Sequence, residues 1–531
     1  MRFLSSTPGS PREVAAISSF STTEKSAKSG LVENKTLIAG VLLMIGMIAG
    51  LASSTLSVLV ISSVVLGTLL FILIYRDLML GISLFLIFNL IIPQAGPSLD
   101  LHINTPVGER GIHFCPHEIV ITMVLVAWLI QVFLKKKSWR TKSPLIWPII
   151  LYVVINIICC FIGLAHGGRL LIIAFRFMRT TFFAYIFFVV LNNVKTRKQL
   201  KQLVIISLIC ATIVAGFGVA QWVMGQAWAE NFSKKVLDRI GYPQSVNFVA
   251  GESEGQTYRV NSTFAHPNVL GGFLVFFLPF FISLLWANKR FSIRLLLFGG
   301  LMINLACLFF TGSRMSWIAA AAIALVYCIF GFFDNRLIMA FVIVVLIIAS
   351  VFVLMYPPPF IKMRMTGYQA QRSAQGRLFL YQIVTDEFMK RPFFGLGESM
   401  IGYVIREGNI RQKWGGVENI YLTYLVSDGI VGLLSFLLMW FVFWGMLLSA
   451  RRRSRADPFL RYTGEALILG MVGWAVANMF GAWFLFATAM MTIWWFYIGL
   501  GASLCNLVKE EFPEPVSKPA LRAARYSWNT G

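Results

Sequence analysis

The chain has 531 residues, 57% of them hydrophobic and 13% charged. Soluble domains carry about 25% charged residues, so this balance excludes a soluble enzyme. Lys and Arg outnumber Asp and Glu by 46 to 23, an excess that needs a physical account.

Apolar runs of about 17–25 residues recur along the sequence, each long enough to cross a bilayer as a helix. The short alternating segments of a strand barrel are absent. The sequence therefore predicts an all-α polytopic membrane protein with about 14 transmembrane helices. Residues 1–36 are Ser/Thr-rich, charged and without apolar period, as expected of a disordered cytoplasmic tail. No basic start, apolar core and small-residue cleavage site precede the first run, so no cleaved signal is expected. The spans are predicted to begin near Leu37, Ser57, Leu78, His117, Leu145, Leu170, Gln202, Asn268, Leu295, Ser316, Leu337, Gly429, Tyr462 and Leu485. They make a membrane domain over 37–508, followed by a Pro-rich cytoplasmic tail over 509–531.

Positive charge is dense at Lys135, Lys136 and Lys137, at Lys195, Arg197, Lys198 and Lys201, at Lys289 and Arg290, and at Arg451, Arg452, Arg453 and Arg455. The positive-inside rule makes that face cytoplasmic and places both termini there. Three longer loops, about 95–116, 225–267 and 357–418, fall on the opposite face. They mix both signs of charge, so their basic residues are not explained by topology, and an anionic ligand is the natural candidate.

In the sixth predicted span, Arg169, Arg176 and Arg179 share one helical face. An arginine inside a span costs at least ~2.5 kcal/mol, so these either pair inside the bundle or line a cleft for a phosphate or diphosphate. Arg259, His266 and Asn268 lead into the eighth span, where Pro267 presets the first helical turn. Either ordinary capping or an anion at that helix mouth accounts for them. Thr311-Gly312-Ser313-Arg314 makes a tight outer turn that holds an arginine rigidly. The long loop contains Arg377 on a predicted amphipathic helix over 376–389, then the breakers Pro392, Gly395 and Gly397. Glu418-Asn419-Ile420-Tyr421 closes that loop; nine residues separate Asn419 from Gly429, and two separate Gly429 from Gly432.

Seven cysteines show no metal-ligand spacing, and neither a phosphate loop nor a dinucleotide fingerprint is present. No metal, cofactor or nucleic acid is expected. Sugar transfer from a diphosphate-linked donor suits the remaining parts. Arginines would stabilise the departing diphosphate, and Glu418 would serve as base to the acceptor hydroxyl or as a helix cap or ion-pair partner.

The stretches RVNSTFAHPNVLGGFL from Arg259, TGSRMSW from Thr311, RPFFGLGESM from Arg391 and ENIYLTYLVSDGIVG from Glu418 resemble the O-antigen ligase/polymerase superfamily of bacterial envelope glycosyltransferases. The ligase pattern is His-Asn, nine residues, Gly, two residues, Gly; here Glu418 stands in the His position and the rest of the spacing is kept. An acid there looks more like the polymerase and exopolysaccharide members. The resemblance implies a fold like that of lipid-linked-sugar (GT-C-like) glycosyltransferases, with a large periplasmic loop over a multi-helix bundle. It implies metal-independent transfer at the periplasmic face of the bacterial inner membrane. The implied donor is an undecaprenyl-diphosphate-linked glycan, with a glycan acceptor, membrane lipids and other polysaccharide assembly proteins as partners. Arg259 and Arg314 match family arginines, and with Glu418 form the expected catalytic set. Arg176, Arg179, His266, Asn268, Arg377, Asn419 and Tyr421 are the expected substrate-binding residues. The leading expectation is polymerisation of repeat units for O-antigen, capsule or exopolysaccharide. Ligation to a lipid A-core or another acceptor is the nearest alternative, and glycolipid export is the rival of another class.

Overall fold

Inside hydrocarbon every backbone N–H and C=O must be paired within its own segment, which forces long apolar runs into helices. The computed structural model describes residues 58–92, 98–105, 108–113, 115–139, 142–232, 235–236, 258–264, 266–333, 368–398, 400, 419–479, 481 and 488–513. Residues 1–77 form one compact unit, in which α1 (Val58–Arg76) is described, and residues 78–531 form the second.

The second unit begins with α2 (Leu78–Ile91) and an antiparallel hairpin of β1 (Ser98–Thr105) and β2 (Gly108–His113) inside the predicted 95–116 loop. There follow α3 (Pro116–Phe133), α4 (Ile146–Ala165), α5 (Leu170–Thr180), a single 3-10 turn, α6 (Tyr185–Asn193), α7 (Arg197–Met224) and α8 (Gln226–Phe232). Next come α9 (Pro267–Ala287), α10 (Phe291–Phe310), α11 (Arg314–Phe333) and α12 (Tyr368–Lys390). The chain ends on α13 (Ile420–Ser427), α14 (Gly429–Arg453), α15 (Pro458–Asn478) and α16 (Thr488–Glu511).

Among the described residues nine helices are long and apolar enough to cross a membrane, with α5 and α6 counted as one. The predicted spans from Leu37 and Leu337 lie outside the described residues. The other predicted starts each fall within about five residues of a helix start. Among those, α1 and α2 carry shorter apolar stretches, and α15 holds Arg461 and Glu465 within its length.

Burial divides the bundle into centre and rim. The spans at Ala489–Glu511 and Pro267–Ala287 are 94% and 83% buried, whereas those of α10 and α11 are 28% buried and turn most of their side chains outward. Aromatic rings fill the centre: Phe276 and Tyr497 lie 4.8 Å apart, and Trp494 and Trp495 4.6 Å. Such rings bury large areas with few rotors to freeze. Polar side chains in this core pair across helices. Tyr497 bonds the Ser207 hydroxyl at 2.6 Å, and Asn89 donates to Thr492 at 2.8 Å.

At the end of α14 carrying the arginine run, Arg451 Nε donates to the fully buried Glu465 carboxylate at 3.0 Å, and its guanidinium lies 4.3 Å from the centre of the Phe330 ring. Removing one partner of such a pair strands the other charge. Arg451→Met is therefore expected to lower stability by about 3–5 kcal/mol, and Arg451→Met/Glu465→Met by much less. Thermal melts of the purified variants in detergent check this; equal losses in both would deny the pair its role.

Candidate functional site

The turn between α10 and α11 is held from outside by Arg259. Its Nε donates to the Thr311 carbonyl and one terminal nitrogen to Asn268 Oδ1, both at 2.7 Å. The Val260 N–H reaches the Phe310 carbonyl at 3.3 Å, so the segment 258–264 is strapped to the turn. His266 is the N-cap of α9: its Nδ1 accepts from the Asn268 N–H at 3.1 Å. Arg259 is 9% exposed. Arg259, His266 and Asn268 are thus positioning groups, and what they position is the start of α11.

Arg314 is the first residue of α11, and it is only partly buried. No hydrogen-bond acceptor or carboxylate engages its guanidinium among the described residues. Its electrostatic neighbour is a like charge, Arg377 on α12. Arg377 lies three residues before Leu380 and seven before Val384, on the helix face that packs against Leu396 and Val426.

Asn419 caps α13, accepting from the Tyr421 and Leu422 N–H groups at 2.9 and 3.1 Å. That accounts for the amide in the Glu418-Asn419 pair. Tyr421 is spent on packing: its hydroxyl donates to the Ala475 carbonyl at 3.0 Å and ties α13 to α15. Glu418 itself lies outside the described residues, one position before the cap. Arg179 is on α5, and its side chain also lies outside the described residues.

Gly429, the first glycine of the motif, serves the backbone together with Gly397. Residues 392–398 pass between α4 and the α13–α14 junction, with Leu396 N–H on the Val426 carbonyl, Gly397 N–H on Ser427 and Glu398 N–H on Cys159, all within 2.8–3.0 Å. Gly397 and Gly429 have φ of +94° and +68°. A Cβ on Gly397 would sit 2.2 Å from the Gly163 nitrogen, and one on Gly429 would sit 2.1 Å from the Phe393 oxygen. Only glycine adopts that φ without strain and leaves that space. His166 braces the same loop, with Nδ1 2.8 Å from the Leu396 carbonyl oxygen and Nε2 2.5 Å from Arg391.

Behind the loop lies a small polar cavity of about 10 Å³, lined by Arg176, Asn156 and Thr180 opposite Glu398, Ser427 and Asp428. Arg176 and Glu398 form an ion pair at 3.6 Å, so Arg176, expected to bind substrate, has a carboxylate partner inside the bundle. Asp428 is 1% exposed and its Oδ1 has no hydrogen-bond partner among the described residues. Burial, and then the charge of Glu398, raise its carboxyl well above the usual range; Cys159 and Arg176 offset only part of this. Two carboxylates facing one guanidinium leave an excess negative charge that a proton on Asp428 removes. Sequence reasoning missed this cluster. Asp428 and Glu398 stand 30 positions apart and no spacing rule links them.

Residues 299–437 match the family model described as O-antigen ligase. No curated protein matches the chain.

Two outcomes check this geometry. Gly397→Ala and Gly429→Ala are each expected to cost several kcal/mol and to lower the yield of folded protein, read by size-exclusion and thermal melts, because backbone rather than a flexible side chain stands in the way. A carboxyl raised on folding supports the fold below its unfolded value of about 3.9 and loses that support as pH climbs toward the raised value. Asp428→Asn should therefore flatten the decline of Tm above pH 4, gaining most on wild type at high pH. Parallel Tm–pH curves would show that Asp428 does not titrate in this way.

Proposed function

On the premise that residues 299–437 place this chain in the O-antigen ligase/polymerase superfamily, we propose that it polymerises undecaprenyl-diphosphate-linked oligosaccharide repeat units at the periplasmic face of the bacterial inner membrane. A ligase/polymerase role in glycan assembly follows from the family; the choice of polymerase is supported by Glu418 standing where the ligase pattern has His. The observation that carries the reading is Arg314. It is a guanidinium fixed at a helix start, without an acceptor among the described residues, and faced by a second arginine at Arg377.

In this reading the diphosphate of the donor lies against Arg314 and Arg377. The bond between the sugar anomeric carbon and the diphosphate oxygen breaks, and the lipid diphosphate leaves with that electron pair. The acceptor hydroxyl oxygen bonds to the anomeric carbon, and its proton passes to the Glu418 carboxylate. Charge grows on the leaving diphosphate, so arginines preorganised around it lower the barrier. Arg259, through Thr311 and Asn268, keeps Arg314 in register. Arg179 adds a further cation on the α5 face. The GT-C-like architecture belongs to the same proposal, with α12 and α13 as part of the layer over the bundle.

Purified protein given lipid-diphosphate-linked oligosaccharide alone should produce a ladder of lengthening lipid-linked glycan. An unchanged substrate that is consumed only when a lipid A-core acceptor is added would assign a ligase instead. Arg314→Ala is expected to lower the rate by about 10²–10³ with expression intact. Glu418→Gln should lower kcat by about 10²–10⁴ with little change in KM; an equal loss of binding would make Glu418 structural.

A further inference from the structure

At the opposite end of α14 from Asp428 lies a second cavity, of about 270 Å³. Its walls are mostly apolar, with Pro144 ahead of α4, Gly445 and Met446 on α14, and Cys505 and Val508 on α16, and Ser449 lies nearer the mouth. Its rim carries Arg453, half-buried, and Lys509, exposed. From Gly445 to Arg453 the α14 axis rises about 12 Å, so the cavity grades along the helix from an apolar depth to a cationic mouth. Arg451 is committed to Glu465 and Phe330, and the exposed Arg452 does not line the cavity. Glu510 and Glu511, which follow Lys509 on α16, do not line it either.

We infer that this cavity binds one anionic glycerophospholipid, its phosphate between Arg453 and Lys509 and an acyl chain along Met446, Val508 and Pro144. A free anion needs only the two cations. The apolar depth matches a tail, and the polarity gradient along a membrane-crossing helix is that of an amphiphile standing in its own leaflet. At about 270 Å³ the cavity is many times the roughly 30 Å³ share of one water, so it is no packing gap. The site lies at the far end of α14 from Arg314 and the glycan chemistry, and does not rest on that reading.

The full chain, stripped of lipid in detergent, is titrated with phosphatidylglycerol, phosphatidylcholine or inorganic phosphate, and bound molecules are counted by native mass spectrometry. Wild type should hold one phosphatidylglycerol about 30-fold more tightly than phosphatidylcholine, as two cations near one phosphate provide. Arg453→Gln/Lys509→Gln should reduce that preference to below about threefold. Met446→Trp, which fills the depth and keeps both charges, should release either lipid. Arg452→Gln should behave as wild type. Equal retention of both lipids by wild type would overturn the site, as would an Arg452→Gln loss matching that of the double variant, since attraction would then be diffuse. Phosphate binding that Met446→Trp leaves undiminished, with lipid also retained, would assign the cavity to a free anion and overturn the lipid reading.

Discussion

The slot through which residues 392–398 pass is the constraint on which the junction of α4, α13 and α14 depends. It is narrower than one Cβ at two places, Gly397 against α4 and Gly429 against the Phe393 carbonyl. Three backbone hydrogen bonds then fix the loop to α13, the α13–α14 junction and α4 together. Because Leu396 and Val426 pack with Leu380 and Val384, that loop sets where α12 carries Arg377.

The arginines of the candidate site divide into two kinds by what their donors meet. Arg259 spends donors on a carbonyl and an amide, and Arg176 faces Glu398; both are held inside protein, where an unpaired charge would be costly. Arg314 meets a like charge instead. The buried acids obey the same accounting in reverse: Asp428 and Glu398 share one arginine, and a proton takes up the remainder.

Much of the fold was legible in the sequence because a span must be apolar along its whole length and pair its own backbone. Hydropathy therefore located helix starts near Leu78, Leu170 and Gly429 without any knowledge of packing. The hairpin inside 95–116 was not legible, since a short polar stretch carries no comparable signal. Among site residues, Arg314 was foreseen as catalytic and Arg377 as substrate-binding, and the two are electrostatic neighbours. His266, Asn268 and Tyr421 were also foreseen as substrate-binding, yet their polar atoms serve caps and helix ties.

The sequence by itself determined that this is a polytopic helical membrane protein. It also determined that its Asn-Gly-Gly spacing marks the important corner, because composition and spacing along one chain are local properties. Only the tertiary structure decided what those residues do. Whether an arginine is a clamp or a ligand depends on which acceptors from distant segments fall within about 3 Å of it. Gly429, read as part of a chemical motif, is where a loop from about 30 residues upstream must cross, and that crossing exists only once α4, α13 and α14 have met.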